Sequence, residues 1–376
     1  MLVTDGEQRA ALAAVRSLGR AGYRVHVCSS RAASIAGASR YCAASYRVAD
    51  PLTDSNGFLS DLERLVITSR ADVLIPISEA ALLAILPARL RLQCVIPFPT
   101  AAAFDRICDK RQALAVAKAH GVAVPEQIEV ATPADAARVK GELRFPLVLK
   151  PSRSVAGTGG KRIRVGVSYA DTQEELEKAI ADVPPDAFPV LLQERIAGPG
   201  FGTSVLLWDG KLIAAFSHRR IREKPPSGGV SVLSESIPLD QTLLDKAVAV
   251  LKEFKWQGVA MVEFKLAAAT GIPYLMEING RLWGSLQLAI DAGVDFPRLL
   301  VEAALGVNPA PVLSYRSGGR LRWEWGDFDH LLASREKLTT IQGFIGGRTS
   351  ENKLEVFRAD DPAPFVRETI DWLLRR

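Results

Sequence analysis

Cysteine and histidine are scarce: four of each among 376 residues. Cys28, Cys42, Cys94 and Cys108 all fall in the first third and no two stand in C-x-x-C spacing, so neither a disulfide framework nor a thiolate zinc site is encoded. They read as buried thiols of a reducing compartment. His26, His120, His218 and His330 are scattered singly, which excludes a histidine-rich metal centre and favours structural roles. No apolar run approaches the roughly 18 residues of a membrane span. Met1-Leu2-Val3-Thr4 passes directly into the polar Asp5-Gly6-Glu7-Gln8, unlike a secretory signal. The expected address is the cytoplasm, with no membrane partner. An excess of one charge is lacking too: 47 Lys and Arg against 42 Asp and Glu leave +5, too little for a dedicated nucleic-acid binder and enough for an anionic small ligand.

What is present is an ordinary globular composition, 48% hydrophobic and 24% charged, in a chain long enough for two or three domains. Leu2-Val3-Thr4, an Ala/Leu/Arg helix ending near Gly19, and Tyr23 to Cys28 make a βαβ start. Val73 to Ile77, followed by Ser78-Glu79 and an Ala/Leu-rich helix, repeats it, with Ser78 as N-cap. The result is a doubly wound parallel sheet. It has no G-x-G-x-x-G after its first strand, so it reads as a scaffold without a dinucleotide. One long helix is expected from Ala101 to Gly121.

Phe145 to Lys150 is a short buried strand that delivers a lysine at its end. The segment Ser152 to Lys161 follows, whose Gly157-Thr158-Gly159-Gly160 suits either a backbone cradle for phosphates or a plain hairpin loop. It is not a Walker loop, because the lysine precedes the glycines. Val190 to Ile196 is another strand. Gly202 to Trp208 and Leu212 to Phe216 join through Asp209-Gly210 as a hairpin. His218 to Gly229 then reads as a basic, Pro/Gly-rich loop, either a solvated turn or an anion clamp.

Val259 to Leu266 and Pro273 to Asn279 flank the turn Ala268-Ala269-Thr270-Gly271, and a hairpin centred near Thr270 sets Glu263 directly opposite Glu277. Alternation then puts Ala260, Val262, Phe264, Leu266, Tyr274, Met276 and Ile278 on one apolar face, and Glu263, Glu277 and Asn279 on the other. Facing carboxylates repel unless a cation lies between them. Two carboxylates and an amide, without His or Cys, match a hard ion such as Mg²⁺, and Arg281 follows on the same face to neutralise phosphate. Two solvated glutamates with lysine neighbours such as Lys265 are the bland alternative.

The run Glu277-Ile278-Asn279-Gly280-Arg281-Leu282, with Ser285, Leu288, Ala289, Ala292 and Phe296-Pro297 downstream, resembles the ATP-grasp superfamily of carboxylate ligases. It is most similar to a module of the carbamoyl-phosphate synthase large subunit and to single-module carboligases. The resemblance spans roughly Asp109 to Pro297. It implies an α/β chain, α+β in its ATP-grasp part: a Rossmann-like pre-ATP-grasp domain (1–105), an ATP-grasp domain (106–308) with a small lid lobe (122–195) and a larger lobe (196–308), and a C-terminal extension (309–376) packing on the core.

By this resemblance Lys110 and Lys150 contact ATP phosphates, and Gly157, Thr158, Gly159 and Gly160 close over them. Gln193, Glu194, Arg195 and Ile196 form the strand beside adenine, with Glu194 holding the base edge and ribose region. Glu263, Glu277 and Asn279 hold two Mg²⁺ ions, with Mn²⁺ as an alternative, and Arg281 stabilises an acyl-phosphate. Arg219, Arg220, Arg222, Lys224, Gly228 and Gly229 are the candidates for gripping substrate. The implied partners are a small carboxylate and an amine, with a homodimer as the assembly the tail admits. Biotin carboxylase carries a glutamate base where this chain has Ser285, so carboxylation of biotin is disfavoured. A phosphotransferase, or a nucleotide-binding module without turnover, are the alternatives on the same fold.

Overall fold

The computed structural model describes residues 1–137, 144–157, 160–226, 228–334 and 352–374. The N-terminal part contains β1 (Leu2–Val3), α1 (Arg9–Arg20), β2 (Val25–Ser29), β3 (Cys42–Arg47), α2 (Ser55–Ser69), β4 (Leu74–Ile75) and α3 (Glu79–Ile85). Its strands are parallel in the order β3-β2-β1-β4. Val25, Val27, Leu74 and Ile75 are fully buried, as expected of parallel strands covered on both faces. The order turns between β1 and β4. There Asp5, in the left-handed region (φ 54°), accepts hydrogen bonds from the Ser78 amide (3.1 Å) and hydroxyl (2.7 Å). Ser78 in turn accepts from the Ala81 amide at 3.1 Å, the expected N-cap of α3.

The single helix expected over 101–121 is two, α4 (Ala101–Cys108) and α5 (Lys110–Ala119). Asp109 takes a non-helical conformation between them and its Oδ1 accepts from the Arg111 amide at 3.0 Å. A short carboxylate competes with the helix ladder and is better used as a cap. The break makes Lys110 the first residue of a new helix.

A small lobe follows: β5 (Gln127–Val130), β6 (Leu147–Pro151), β7 (Val155–Ala156), β8 (Ile163–Arg164), β9 (Ser168–Ala170), α6 (Gln173–Ala181) and β10 (Val190–Glu194). Its main sheet is antiparallel, ordered β5-β10-β6-β9. Leu147, Leu149, Val190 and Leu192 pack with Leu176 and Ile180 of α6 in a core of their own. Alternation puts Val148, Lys150, Leu191 and Gln193 on the other face.

The large lobe contains β11 (Gly200–Trp208), β12 (Lys211–Lys224), β13 (Val230–Ile237), α7 (Gln241–Glu253), β14 (Gly258–Leu266), β15 (Pro273–Asn279), α8 (Leu286–Ala292) and α9 (Phe296–Ala304). Asp209 (φ 48°) and Gly210 (φ 74°) both take positive φ, as a two-residue hairpin requires. β12 continues to Lys224, so most of the segment read as a basic loop from His218 is a strand paired with β13. Its cations are matched by remote acids: Arg219 with Glu235 at 3.0 Å, Arg222 with Asp327 at 2.6 Å, and Lys224 with Asp329. Local charge pattern alone therefore misread it.

The tail adds β16 (Arg320–Arg322), α10 (Glu324–Ala333), β17 (Asn352–Leu354) and α11 (Ala363–Leu374). β16 and β17 extend the large sheet, ordered β15-β14-β11-β12-β13-β16-β17 among the described residues. Trp325 stacks on Trp372, ring centroids 4.2 Å apart, so the tail packs against itself through these rings. The tail also reaches back to α1. Arg16 and Asp361, each 1% exposed, pair at 2.9 Å, and Arg16 donates to the carbonyls of Glu355, Val356 and Asp361. Asp361→Ala strands a buried guanidinium and should destabilise the chain by about 3–5 kcal/mol. An unchanged urea midpoint would show that the tail does not brace α1. The N-terminal sheet and the large lobe share one continuous core. No helix among the described residues is long and apolar enough to cross a membrane.

Of the four cysteines, only Cys28 is fully buried; Cys42, Cys94 and Cys108 are partly exposed and all are free.

Candidate active site

Residues from α3, α5, β6 and β15 and the chain beyond β6 and β15 converge at the junction of the three parts. Glu79, Lys110, Ser154, Glu277, Asn279 and Arg281 line one cavity there. The β14–β15 hairpin has the expected register: Glu263 faces Glu277, Val262 faces Ile278 and Met261 faces Asn279. Beyond Glu263 a bulge shifts it, so Phe264 pairs with Leu275. The apolar face therefore differs from strict alternation. Leu275 is fully buried with Phe264, while Tyr274 and Met276 are half-exposed. A bulge inserts one unpaired residue and flips the side chains beyond it, which periodicity cannot foresee.

Asn279 bridges the carboxylates, its Nδ2 donating to Glu263 at 3.0 Å and Glu277 at 3.1 Å, while its Oδ1 accepts from Arg281 at 2.8 Å. Gly280 between them is required by close approach: an added Cβ would lie 2.3 Å from the Trp256 ring. Lys110 Nζ donates to Ser154 Oγ at 2.8 Å and lies 3.9 Å from Glu277. Arg220 ion-pairs with Glu263 and, at 3.1 Å, with Glu223.

These neighbours set the ionisation of the pair. Burial pushes the Glu277 carboxyl up, but Lys110, Lys150, the Asn279 hydrogen bond and Arg281 together outweigh it and hold the group below the usual carboxylate range. Glu263 goes the other way: burial, reinforced by the charge of Glu277, raises it against the pull of Arg220. Lys150 is buried and burial lowers it to about 8, with Glu277 opposing.

The donor set fits a hard divalent cation: two facing carboxylates with an amide beside them. No cluster of three His, Cys, Asp or Glu side chains forms among the described residues. Two carboxylates and one amide leave coordination positions for water and phosphate oxygens, the usual habit of Mg²⁺. Presenting the Asn279 oxygen to such an ion requires the amide to turn and to give up its bond to Arg281.

The remaining sequence candidates are placed unevenly. Thr158 and Gly159 lie outside the described residues. Gly157 and Gly160 flank them, and the Gly160 carbonyl accepts from both the amide and hydroxyl of Ser55 at 3.2 Å, which ties Gly160 to the start of α2. Gln193 is buried on the face it shares with Lys150, its Nε2 donating to Gln127 at 2.6 Å. Glu194 alternates to the other face, and Arg195 is exposed over Tyr169. The strand expected to reach Ile196 ends at Glu194, so Arg195 and Ile196 lie beyond it, and an adenine contact from Glu194 would use its backbone. Of the basic candidates, Arg220 alone among the described residues meets the carboxylate pair, and it also donates to the carbonyl of Gly229, next to Gly228 in the β12–β13 turn, at 3.4 Å. Arg219, Arg222 and Lys224 are turned to acids elsewhere. Ser285 is buried near His218, its Oγ 3.4 Å from Nε2. Sequence reasoning missed Glu79 and Ser154 as lining residues; an acid in a first helical turn and a serine in a loop carry no distinctive signal.

Comparisons with known proteins agree with this fold. Residues 186–325 match the model of a family described as "ATP-grasp in the biosynthetic pathway with Ter operon". Over 154 residues the chain is 27% identical to the mitochondrial methylcrotonoyl-CoA carboxylase subunit alpha of Mus musculus, covering 38% of this chain and 20% of that one. The chain thus spans about a fifth of the length of this curated relative. Among solved structures, the L-amino acid ligase from Bacillus licheniformis superposes with TM-score 0.64 at 19% identity, covering 82% of this chain and 74% of the ligase. The biotin carboxylase domain of Hydrogenobacter thermophilus 2-oxoglutarate carboxylase, in complex with MgADP, ADP and bicarbonate, superposes with TM-score 0.66 at 18% identity, covering 85% and 73%. Residues 186–325 are thus similar to an ATP-grasp family, and the chain shares the fold of these solved structures.

Proposed function

We propose that the protein is an ATP-dependent ligase that activates a carboxylate as an acyl-phosphate and joins it to an amine, releasing ADP and phosphate. The observation that carries this is the meeting of Glu263, Glu277, Asn279 and Arg281 with Lys110 and Lys150 at one site. The substrate carboxylate attacks the γ-phosphorus of ATP and ADP leaves. The amine then attacks the acyl carbon, a C–N bond forms, the C–O bond to phosphate breaks, and the amine gives up a proton. Lys110 and Lys150 hold the triphosphate. Arg281 neutralises charge on the phosphoryl group in flight. Glu263, Glu277 and Asn279 hold Mg²⁺, two ions by the family pattern, which screens phosphate charge when bound. The Gly157–Gly160 loop closes over the phosphates, and the segment Gln193-Glu194-Arg195-Ile196, at and beyond the end of β10, passes beside adenine. Arg220, paired with Glu263, is the basic residue that would grip the substrate carboxylate. The reading divides the chain into a pre-ATP-grasp domain (1–105), an ATP-grasp domain (106–308) and an extension (309–376), with small molecules as its partners.

The test is ADP release with Mg²⁺ and ATP across pools of amino acids, hydroxy acids and small carboxylates, with and without added amines. Turnover confined to one acid, giving an amide, is expected. A stable phosphorylated product would make the protein a phosphotransferase instead. Tight ATP binding without turnover on any pool would make it a binding module.

A further inference from the structure

One carboxylate at this site has no task in that scheme. Glu79, the first residue of α3, lines the cavity with Lys110, Glu277, Asn279 and Arg281. Its Oε1 is closed off from solvent and has no hydrogen-bond partner among the described residues. Arg281 and Lys110 act on it at a distance, yet no ion pair to it forms among the described residues. It is not loosely held. Asp5 fixes Ser78, and Ser78 caps the helix that Glu79 begins. This latch stands at the carboxyl ends of β1 and β4, where the order β3-β2-β1-β4 turns. In open α/β sheets that crevice is where ligands bind.

A buried carboxylate oxygen without a protein donor is costly, and a ligand that brings a donor to it relieves that cost. An ionised carboxylate only accepts hydrogen bonds and repels phosphate and carboxylate groups. Of the other ionic groups lining the cavity, Lys110 and Arg281 suit those anions, and Glu277 is taken by the metal in that scheme. Glu79 suits the opposite. We infer that Glu79 receives a cationic nitrogen of the substrate, an ammonium or guanidinium. This deepens the ligase reading and rests on it: one of the joined molecules carries a positive charge, either the acid being activated, as an amino acid does, or the attacking amine before it loses its proton.

The experiment compares wild type with Glu79→Gln and Glu79→Asp in two assays with Mg²⁺ and ATP. Pooled amino acids or pooled unaminated acids are activated with hydroxylamine, which is largely uncharged at neutral pH and traps acyl-phosphate as a hydroxamate. The same acids are then offered pooled primary amines, and amides are measured by mass. The expected result for Glu79→Gln is a rise of about 10- to 100-fold in the KM of the nitrogen-bearing substrate, as for loss of a charged hydrogen bond. The KM for ATP and the thermal midpoint should hold, with Glu79→Asp in between. A rise in the acid's KM in the hydroxylamine assay puts the charge on the acid; a rise in the amine's KM alone puts it on the nucleophile. Wild-type KM values for both substrates in Glu79→Gln would overturn the inference and leave the ligase reading standing, as would a fall in kcat alone. Absence of hydroxamate from wild type on every pool would overturn the ligase reading, and the inference with it.

Discussion

Glu277→Gln should abolish magnesium-dependent turnover, by about a thousandfold or more, and leave the fold intact. The side chain is 34% exposed and faces the cleft, not the hydrophobic core. Its structural duty is to offset Lys110 and Lys150, and an amide of the same shape keeps the hydrogen bonding of Asn279 within reach. The functional loss is larger for two reasons. One of two facing carboxylates disappears, so a divalent ion keeps half of its anionic donors. Lys110 and Lys150 lose their shared counter-charge. Steady-state ADP release and circular dichroism on the same preparation check both halves. A variant that unfolds would show that Glu277 belongs to the core, and one that turns over normally would remove it from the metal site.

The pairing of Glu263 with Glu277 was legible because a hairpin with a short turn has few registers, and burial of one face fixes the choice. The Asp209-Gly210 turn and the Ser78 cap were legible for similar local reasons. What sequence could not reveal depends on contacts between distant segments. The cations of β12 look like an anion clamp until Glu235, Asp327 and Asp329 arrive from elsewhere to neutralise Arg219, Arg222 and Lys224. The bulge after Glu263 exchanges Leu275 for Tyr274 and Met276 in the core and has no marker in the strand. Glu79 reads as an ordinary first-turn acid, since its oxygen is left unpaired only when α3 is brought beside β15. Arg16 looks like a surface residue of α1 until the tail covers it.

Lys150 ties affinity to pH and opposes it to stability. Burial lowers it from 10.5 to about 8, so at pH 7 it is protonated and available to phosphate, but at a cost to the unliganded fold. Lys150→Ala should weaken ATP binding by about 10- to 100-fold at pH 7, as expected for loss of a charged hydrogen bond. A bound triphosphate raises the lysine's affinity for its proton. Wild-type affinity should therefore be flat below pH 8 and fall above it by up to about tenfold per pH unit, because binding must then recruit a proton. Lys150→Arg, which stays charged, should remove that dependence. Stability runs in the other direction. Between pH 8 and 10.5 the unfolded chain binds the proton that the native state releases, so this group's contribution to stability rises with pH across that window and is at its lowest below it. The shift corresponds to roughly 3 kcal/mol, and Lys150→Met should recover part of it at pH 7 as a raised thermal midpoint. Calorimetric titration with ATP across pH 6.5 to 9.5, together with melting of the unliganded variants, checks both. An unchanged ATP affinity in Lys150→Ala would remove the lysine from the site. A lowered midpoint in Lys150→Met would show that its charge is already compensated before nucleotide arrives.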